Sequence, residues 1–132
     1  MLDSVLRVFG KDFDVEAFLQ KHPISIPTEP YSKGEPDLLG NPNIDSGFDA
    51  LISESLEPEE NLAHIRLFLE SSEAPFTALK EMGMTCIIDI GCTVDTQEQC
   101  AQSINIPVEV MALCCSLNIS IEFSAYSSAA AM

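Results

Sequence analysis

The run Cys86-Ile87-Ile88-Asp89-Ile90-Gly91-Cys92-Thr93-Val94 constrains the fold more than any other segment, because it is the clearest strand in the chain. Successive strand side chains point to opposite faces, so Ile88 and Ile90 share one face and Asp89 takes the other. Outward is the expected direction for Asp89, since an inward carboxylate needs a hydrogen-bond partner or a shifted pKa.

Other segments supply partners for this strand. Val5-Leu6-Arg7-Val8-Phe9 is short, apolar and stopped by Gly10. Ile24 and Ile26 alternate with Ser25 ahead of Pro27 and predict a brief strand or an extended edge. Phe48 to Ser53 reads as another strand. Ile119, Ile121, Phe123 and Ala125 alternate with Ser120, Glu122 and Ser124, the pattern of a half-buried final strand.

The helical signals fall between these strands. Asp14 is an acidic N-cap for Val15, Ala17, Phe18 and Leu19, and Lys21-His22-Pro23 closes that short helix. Pro58 suits a first helical turn, with Glu59 and Glu60 favourable at the positive end of the helix dipole. Leu62, Ile65, Phe68 and Leu69 then make one buried stripe. Pro75 starts a second short helix carrying Phe76, Leu79 and Met82, with Gly83 as its C-cap. After a polar loop from Asp95 to Gln102, Asn105 and Pro107 open a helix through Val108, Val110, Met111, Leu113 and Cys114.

The resulting order, β-α-β-β-α-β-α-β, predicts an α+β fold: a mainly antiparallel sheet with helices packed on one face, broadly ferredoxin-like. A length of 132 residues suits one domain. We expect that domain to span 1–126, with 127–132 a flexible tail of small residues. Residues 27–47 are loop-like, rich in Pro and Gly. They hold Tyr31, Leu38, Leu39 and Ile44, which either dock on a partner or fold back on the core.

Charge narrows the function. Six Lys and Arg against twenty-one Asp and Glu give a net −15, on a chain that is 46% hydrophobic and therefore not a disordered acidic tail. Such a surface repels phosphate, which disfavours nucleic acid and anionic membrane as partners. No apolar run approaches the roughly 20 residues of a membrane span, and Met1 to Arg7 has no secretory pattern.

Five cysteines lack zinc spacing and read as small buried hydrophobes in a reducing, cytoplasmic setting. His22 and His64 stand far from them and from each other, and no nucleophile can be paired with His64. Phosphate-binding glycine motifs, the nucleophile elbow and the calcium loop are absent. No catalytic, cofactor-binding or metal-ligating residues are therefore predicted. The densest acidic cluster, Glu54, Glu57, Glu59 and Glu60, is either a solvated helix start or a patch that faces a partner.

The chain also resembles a bacterial family known as a domain of unknown function, numbered forty-two seventy-nine. The resemblance rests on Val8-Phe9-Gly10 followed by Asp14-Val15-Glu16-Ala17-Phe18-Leu19, and on Ile24-Ser25-Ile26-Pro27 leading to Lys33-Gly34-Glu35. It ends with Ile106-Pro107-Val108-Glu109-Val110-Met111-Ala112-Leu113 and Ile119-Ser120-Ile121-Glu122-Phe123. It implies a small cytosolic bacterial protein, in some settings one conferring immunity to a secreted toxin.

Together with the charge, this sets the expectation of a non-enzymatic immunity protein that captures a cognate toxin with a basic surface. Its partner-binding residues would be Glu54, Glu57, Glu59 and Glu60, with Tyr31, Glu35 and Asp37 from the long loop. Two other readings stand beside it: a small acidic regulatory or scaffold domain, and a metal-assisted enzyme of unfamiliar type. Strand edges in a small open sheet can pair, which allows a homodimer.

Overall fold

The computed structural model describes residues 1–94 and 103–127. Along the chain run β1 (Leu2–Gly10), α1 (Val15–Lys21), β2 (Glu29–Tyr31), β3 (Ser46–Ser55), α2 (Pro58–Glu70), α3 (Glu73–Met82), β4 (Thr85–Val94), α4 (Val108–Ser116) and β5 (Ile119–Ser127). The strands form one sheet in the order β2-β3-β1-β4-β5. Every pairing is antiparallel except β4 with β5. Parallel neighbours need a crossover, and α4 lies within it. The fold is α+β, as expected, with a mixed and mostly antiparallel sheet.

Alternation along the strands divides the sheet into two unlike faces. Leu2, Leu6 and Val8 of β1, Phe48 and Ala50 of β3, and Cys86, Ile88 and Ile90 of β4 are buried in one core with the helices. From α2 that core takes Leu62, Ile65, Phe68 and Leu69, and from α3 Phe76 and Leu79. Burying each of these large side chains contributes about 1.5–3 kcal/mol. Phe68 meets Phe76 edge to face at 6.0 Å and joins α2 to α3. Phe13 and Phe18 close the other end of the core on Phe48.

The expected capping chemistry is present. Asp14 accepts a hydrogen bond from the Ala17 N–H at 3.1 Å, and Gly83 takes the left-handed conformation, φ 75°, that ends α3. In that turn the Gly83 and Met84 N–H groups donate to the Lys80 and Leu79 carbonyls. α3 begins at Glu73, two residues before Pro75, because a proline in the first helical turn forfeits no intrahelical bond. Phe76 and Leu79 are buried as expected of this helix, but Met82, grouped with them in the sequence, is exposed at its end.

Of the two expectations for Ile24 and Ile26, a strand is not formed. Both residues instead pack half-buried on the core, and the edge strand follows at Glu29–Tyr31. Ser127 belongs to β5, one residue into the expected tail. Residues 128–132 and the expected loop Asp95–Gln102 lie outside the described residues.

Cys86, Cys92 and Cys114 are buried and Cys115 is exposed, while Cys100 lies outside the described residues. Burial pushes the Cys86 thiol up to about 12 and the Cys114 thiol up to about 11. At neutral pH both are uncharged core groups and poor nucleophiles.

One polar cluster interrupts the core. Asn61 of α2 is fully buried, accepts a hydrogen bond from the Ser4 hydroxyl, and donates to the Leu2 and Ser53 carbonyls at 3.4 Å each. It sits where the β1–β3 register shifts: Ser4 pairs with Ser53 but Val5 with Leu51, leaving Ile52 as a bulge. A bulge disrupts the local ladder, and Asn61 meets carbonyl groups on both strands beside it.

Candidate functional site

Among the described residues, no helix covers the second face of the sheet. β1 presents Asp3, Val5, Arg7 and Phe9 there, alternating with its buried residues. Register carries the same parity across to Asp49 and Leu51 of β3, Ile87 and Asp89 of β4, and Ser120, Glu122 and Ser124 of β5. Beyond the bulge Glu54 pairs opposite Asp3, and Glu29 of β2 pairs opposite Asp49. Arg7 is the sole basic residue in the strands. It therefore stands alone among Asp3, Glu29, Asp49, Glu54, Asp89 and Glu122.

Arg7 crosses over Ile87 of β4 to form an ion pair through Nη2 with Glu122 of β5. The pair is half exposed, so it adds about 0–1 kcal/mol to stability and mainly fixes where the one positive charge lies. Arg7 Nε is buried and has no hydrogen-bond acceptor among the described residues. Asp89 points outward, as expected, and accepts a hydrogen bond from the Ser124 hydroxyl at 2.9 Å.

Asp49 lies opposite Arg7 on β3. Burial pushes its carboxyl above the ordinary carboxylate value; Arg7 opposes the shift and Glu29 adds to it. Between its ordinary value of 3.8 and its raised value, the folded state holds more protons than the unfolded chain. Stability therefore falls as pH rises through that window. Asp49→Asn is expected to raise the melting temperature at pH 7, with the gain vanishing below about pH 3.8. Paired thermal melts at the two pH values check this.

Tyr31 borders the same region. Its ring packs over Gly47, where an added Cβ would stand 2.7 Å from the Tyr31 hydroxyl oxygen and collide with the Val8 carbonyl. Burial raises the Tyr31 pKa, and the nearby carboxylates of Asp49 and Asp45 raise it further. Arg7, Phe9, Glu29, Tyr31 and Asp49 line one side of a cleft of about 690 Å³, and the loop of residues 32–45 lines the other.

This loop is ordered by its own hydrogen bonds. Gly34 and Asn43 N–H groups donate across it to Asn43 and Glu35 carbonyls at 2.8 Å each, and Lys33 N–H donates to the Ser46 hydroxyl oxygen. Asp37 Oδ1 accepts from the Leu39 and Asn41 N–H groups at 2.9 Å each, which shapes the tip. The tip holds Leu38 and Leu39 out in solvent, and Ile44 is exposed beside them. Of the four loop side chains expected either to dock or to fold back, Tyr31 packs back on the sheet, whereas Leu38, Leu39 and Ile44 do not.

The expected partner-binding residues divide into separate places. Glu54, Glu57, Glu59 and Glu60 are exposed at one end of the sheet, around the start of α2. Among them Glu60 is tied down by the Ser55 hydroxyl at 3.0 Å. Tyr31 and Asp37 lie at the other end, roughly 20 Å away by the rise along β3. The Asp37 carboxylate is engaged in the loop turn. Glu35 faces a different cleft, lined also by Phe13, Val15 and Leu19 of the α1 segment.

The sequence reading missed Arg7, Asp3, Glu29 and Asp49. The available signal was parity: Asp3, Val5, Arg7 and Phe9 are the odd positions of one strand. His64, unpaired in the sequence, meets the Ser53 hydroxyl through Nδ1 at 2.6 Å. Ser53 is buried inside the bulge cluster, so this contact ties α2 to β3.

A larger cleft, about 930 Å³, lies on the opposite side between α1 and α3. Its rim sets Lys21 and His22 beside Asp14, Glu73 and Glu81, so both signs of charge meet there. Among the described residues no group of three His, Cys, Asp or Glu is placed to hold a metal ion, and no helix is long and apolar enough to cross a membrane. No protein-family model, curated protein or solved structure matches this chain.

Proposed function

We propose that this chain is a non-enzymatic binding protein that captures a cationic bacterial toxin and covers its working surface, as an immunity protein does. The observation that carries the reading is the helix-free face of the sheet, where Arg7 is the one cation among Asp3, Glu29, Asp49, Glu54, Asp89 and Glu122. A rigid sheet holds these carboxylates at fixed spacings, so they imitate an anionic substrate without first having to be ordered. Complementary charge raises association rates to as much as about 10⁸–10⁹ M⁻¹s⁻¹ at low salt.

Charge supplies speed and orientation, while tight interfaces also need buried apolar anchors. Leu38 and Leu39 suit that role. They are held out on an ordered loop beside the acidic face, so burying them against a partner costs little loop entropy.

A tagged protein used as bait in its native host, washed at low and then high salt, tests the reading. The expected catch is one stoichiometric protein with a basic toxin domain, held through both washes, whose toxicity on expression is relieved by co-expressing this chain. A bait that retains no such protein, or a partner whose toxicity is unrelieved, would overturn it.

A further inference from the structure

We propose that the cleft between the sheet and the loop of residues 32–45 binds an organic cation with an apolar body, an amidinium or a guanidinium, against Glu29 and Asp49. The site is a property of this chain alone and does not depend on the capture reading.

The cleft holds about 690 Å³. Small-molecule sites run to roughly 300–1,000 Å³ and combine apolar walls with a few convergent polar groups. Phe9 and Tyr31 supply an aromatic wall from the sheet, and Leu38, Leu39 and Ile44 an aliphatic one from the loop. The loop's own hydrogen bonds hold that second wall in place, so the site is formed before anything enters it.

Glu29 and Asp49 stand directly opposite each other on β2 and β3. Like charges at such a pair repel, and among the described residues neither carboxylate makes a hydrogen bond or an ion pair. Arg7 is next in the same row, opposite Asp49, but its guanidinium is committed to Glu122, two strands further on. Asp49 is half-buried, and burial pushes its carboxyl up despite Arg7, with Glu29 adding to the shift. What this pair lacks is a cation.

Charge and shape together select the occupant. An anion is repelled, and a neutral guest would desolvate both carboxylates without answering their charge. Among the described residues no three ligating side chains stand together to hold a metal ion. An ammonium is a compact, strongly hydrated point charge, whereas a guanidinium is planar, more weakly hydrated and able to stack on aromatic rings. Its fork of N–H donors also suits two carboxylates at once.

Titration of the intact chain with benzamidine at pH 7, followed by nuclear magnetic resonance, tests the site. Saturable shifts are expected at Phe9, Tyr31, Leu39 and Ile44, with a Kd of about 1 mM or tighter. Benzamide, which has the same shape without the charge, should give none. Glu29→Gln with Asp49→Asn should weaken benzamidine by more than about tenfold. Glu57→Gln with Glu59→Gln makes the same change in net charge at the far end of the sheet and should leave the affinity within about twofold.

Leu38→Ser with Leu39→Ser changes only exposed loop positions, and it keeps the test open should the carboxylate variant lose its fold. It should weaken benzamidine by about threefold or more. Acetyl-arginine amide, titrated in parallel, separates two sources of the same chemistry. Tighter binding than benzamidine assigns the cleft to an arginine side chain of a protein, and weaker binding assigns it to a free small molecule. Benzamide binding as well as benzamidine overturns the proposal. So do shifts that never saturate, equal losses in the two carboxylate variants, or an undiminished affinity in the leucine variant.

Discussion

Replacing Asn61 by Ala is expected to lower the unfolding free energy by about 2–4 kcal/mol, the largest loss from a single polar side chain in this fold. Asn61 is fully buried and uses both ends of its amide: Oδ1 accepts from Ser4, and Nδ2 donates to carbonyls on β1 and β3. Without it the Ser4 hydroxyl and those carbonyls lose a partner in a region water does not reach, beside a bulge that has already weakened the ladder. For a domain near 130 residues the loss corresponds to a fall in melting temperature of roughly 10 °C.

Ser4→Ala alone should cost less than Asn61→Ala, and the double variant should cost less than the sum, because removing both partners leaves fewer orphans. Asn61→Asp provides the sharper test. It replaces the two N–H donors by a carboxylate aimed at the Leu2 and Ser53 carbonyls, so it should be worse than Asn61→Ala at pH 7 and recover when acid protonates it. Additive losses, or no pH dependence in Asn61→Asp, would mean that the cluster does not act as a unit.

The bulge that Asn61 serves shows where reading the sequence stops. Period-two alternation placed the apolar faces of β4 and β5, and cap residues such as Asp14 and Gly83 marked helix ends, because those signals are local. A bulge is an extra residue relative to a neighbouring strand, so Ile52 has no signature until β1 and β3 are paired. The buried role of Asn61 is hidden for the same reason: within α2 it reads as one more polar residue after Glu59 and Glu60.

The candidate site was legible residue by residue but not as a place. Asp89 and Glu122 read as outward-facing. That they share a face with Arg7 depends on the strand order β3-β1-β4-β5, which brings sequence-distant strands together. Acidic density along the chain favoured Glu57, Glu59 and Glu60, but density along a helix start is not density on a surface. The loop leucines were undecided for a physical reason: whether they fold back depends on hydrogen bonds from Gly34, Asp37 and Asn43 that hold the loop in its own shape.

Reversing charge on the open face is expected to slow capture of the proposed cationic partner by about ten- to a hundredfold at low salt. The variant is Glu54→Lys with Asp89→Lys, which moves the net charge from −15 to −11, two reversals of two units each. Glu73→Lys with Glu81→Lys makes the same change on α3, whose residues pack on the other side of the sheet. Net charge acts on the approach of a partner from any direction, whereas local charge acts once the partner is within a Debye length, about 10 Å at 0.1 M salt. The α3 variant should therefore slow association only a few-fold, and the open-face variant far more.

Stopped-flow association rates measured against salt separate the two effects. Both variants should approach the wild-type rate at high salt, where steering is screened, and the open-face variant should show the shallower salt slope throughout. Dissociation should change little, because exposed carboxylates at the rim of an interface govern encounter more than residence. Equal slowing by the two variants would mean that the acidity acts only through net charge, and the open face would then lose its claim to be the docking surface. A fast dissociation of Leu38→Ala with Leu39→Ala at an unchanged association rate would complete the division of labour, with charge bringing the partner in and the loop tip holding it.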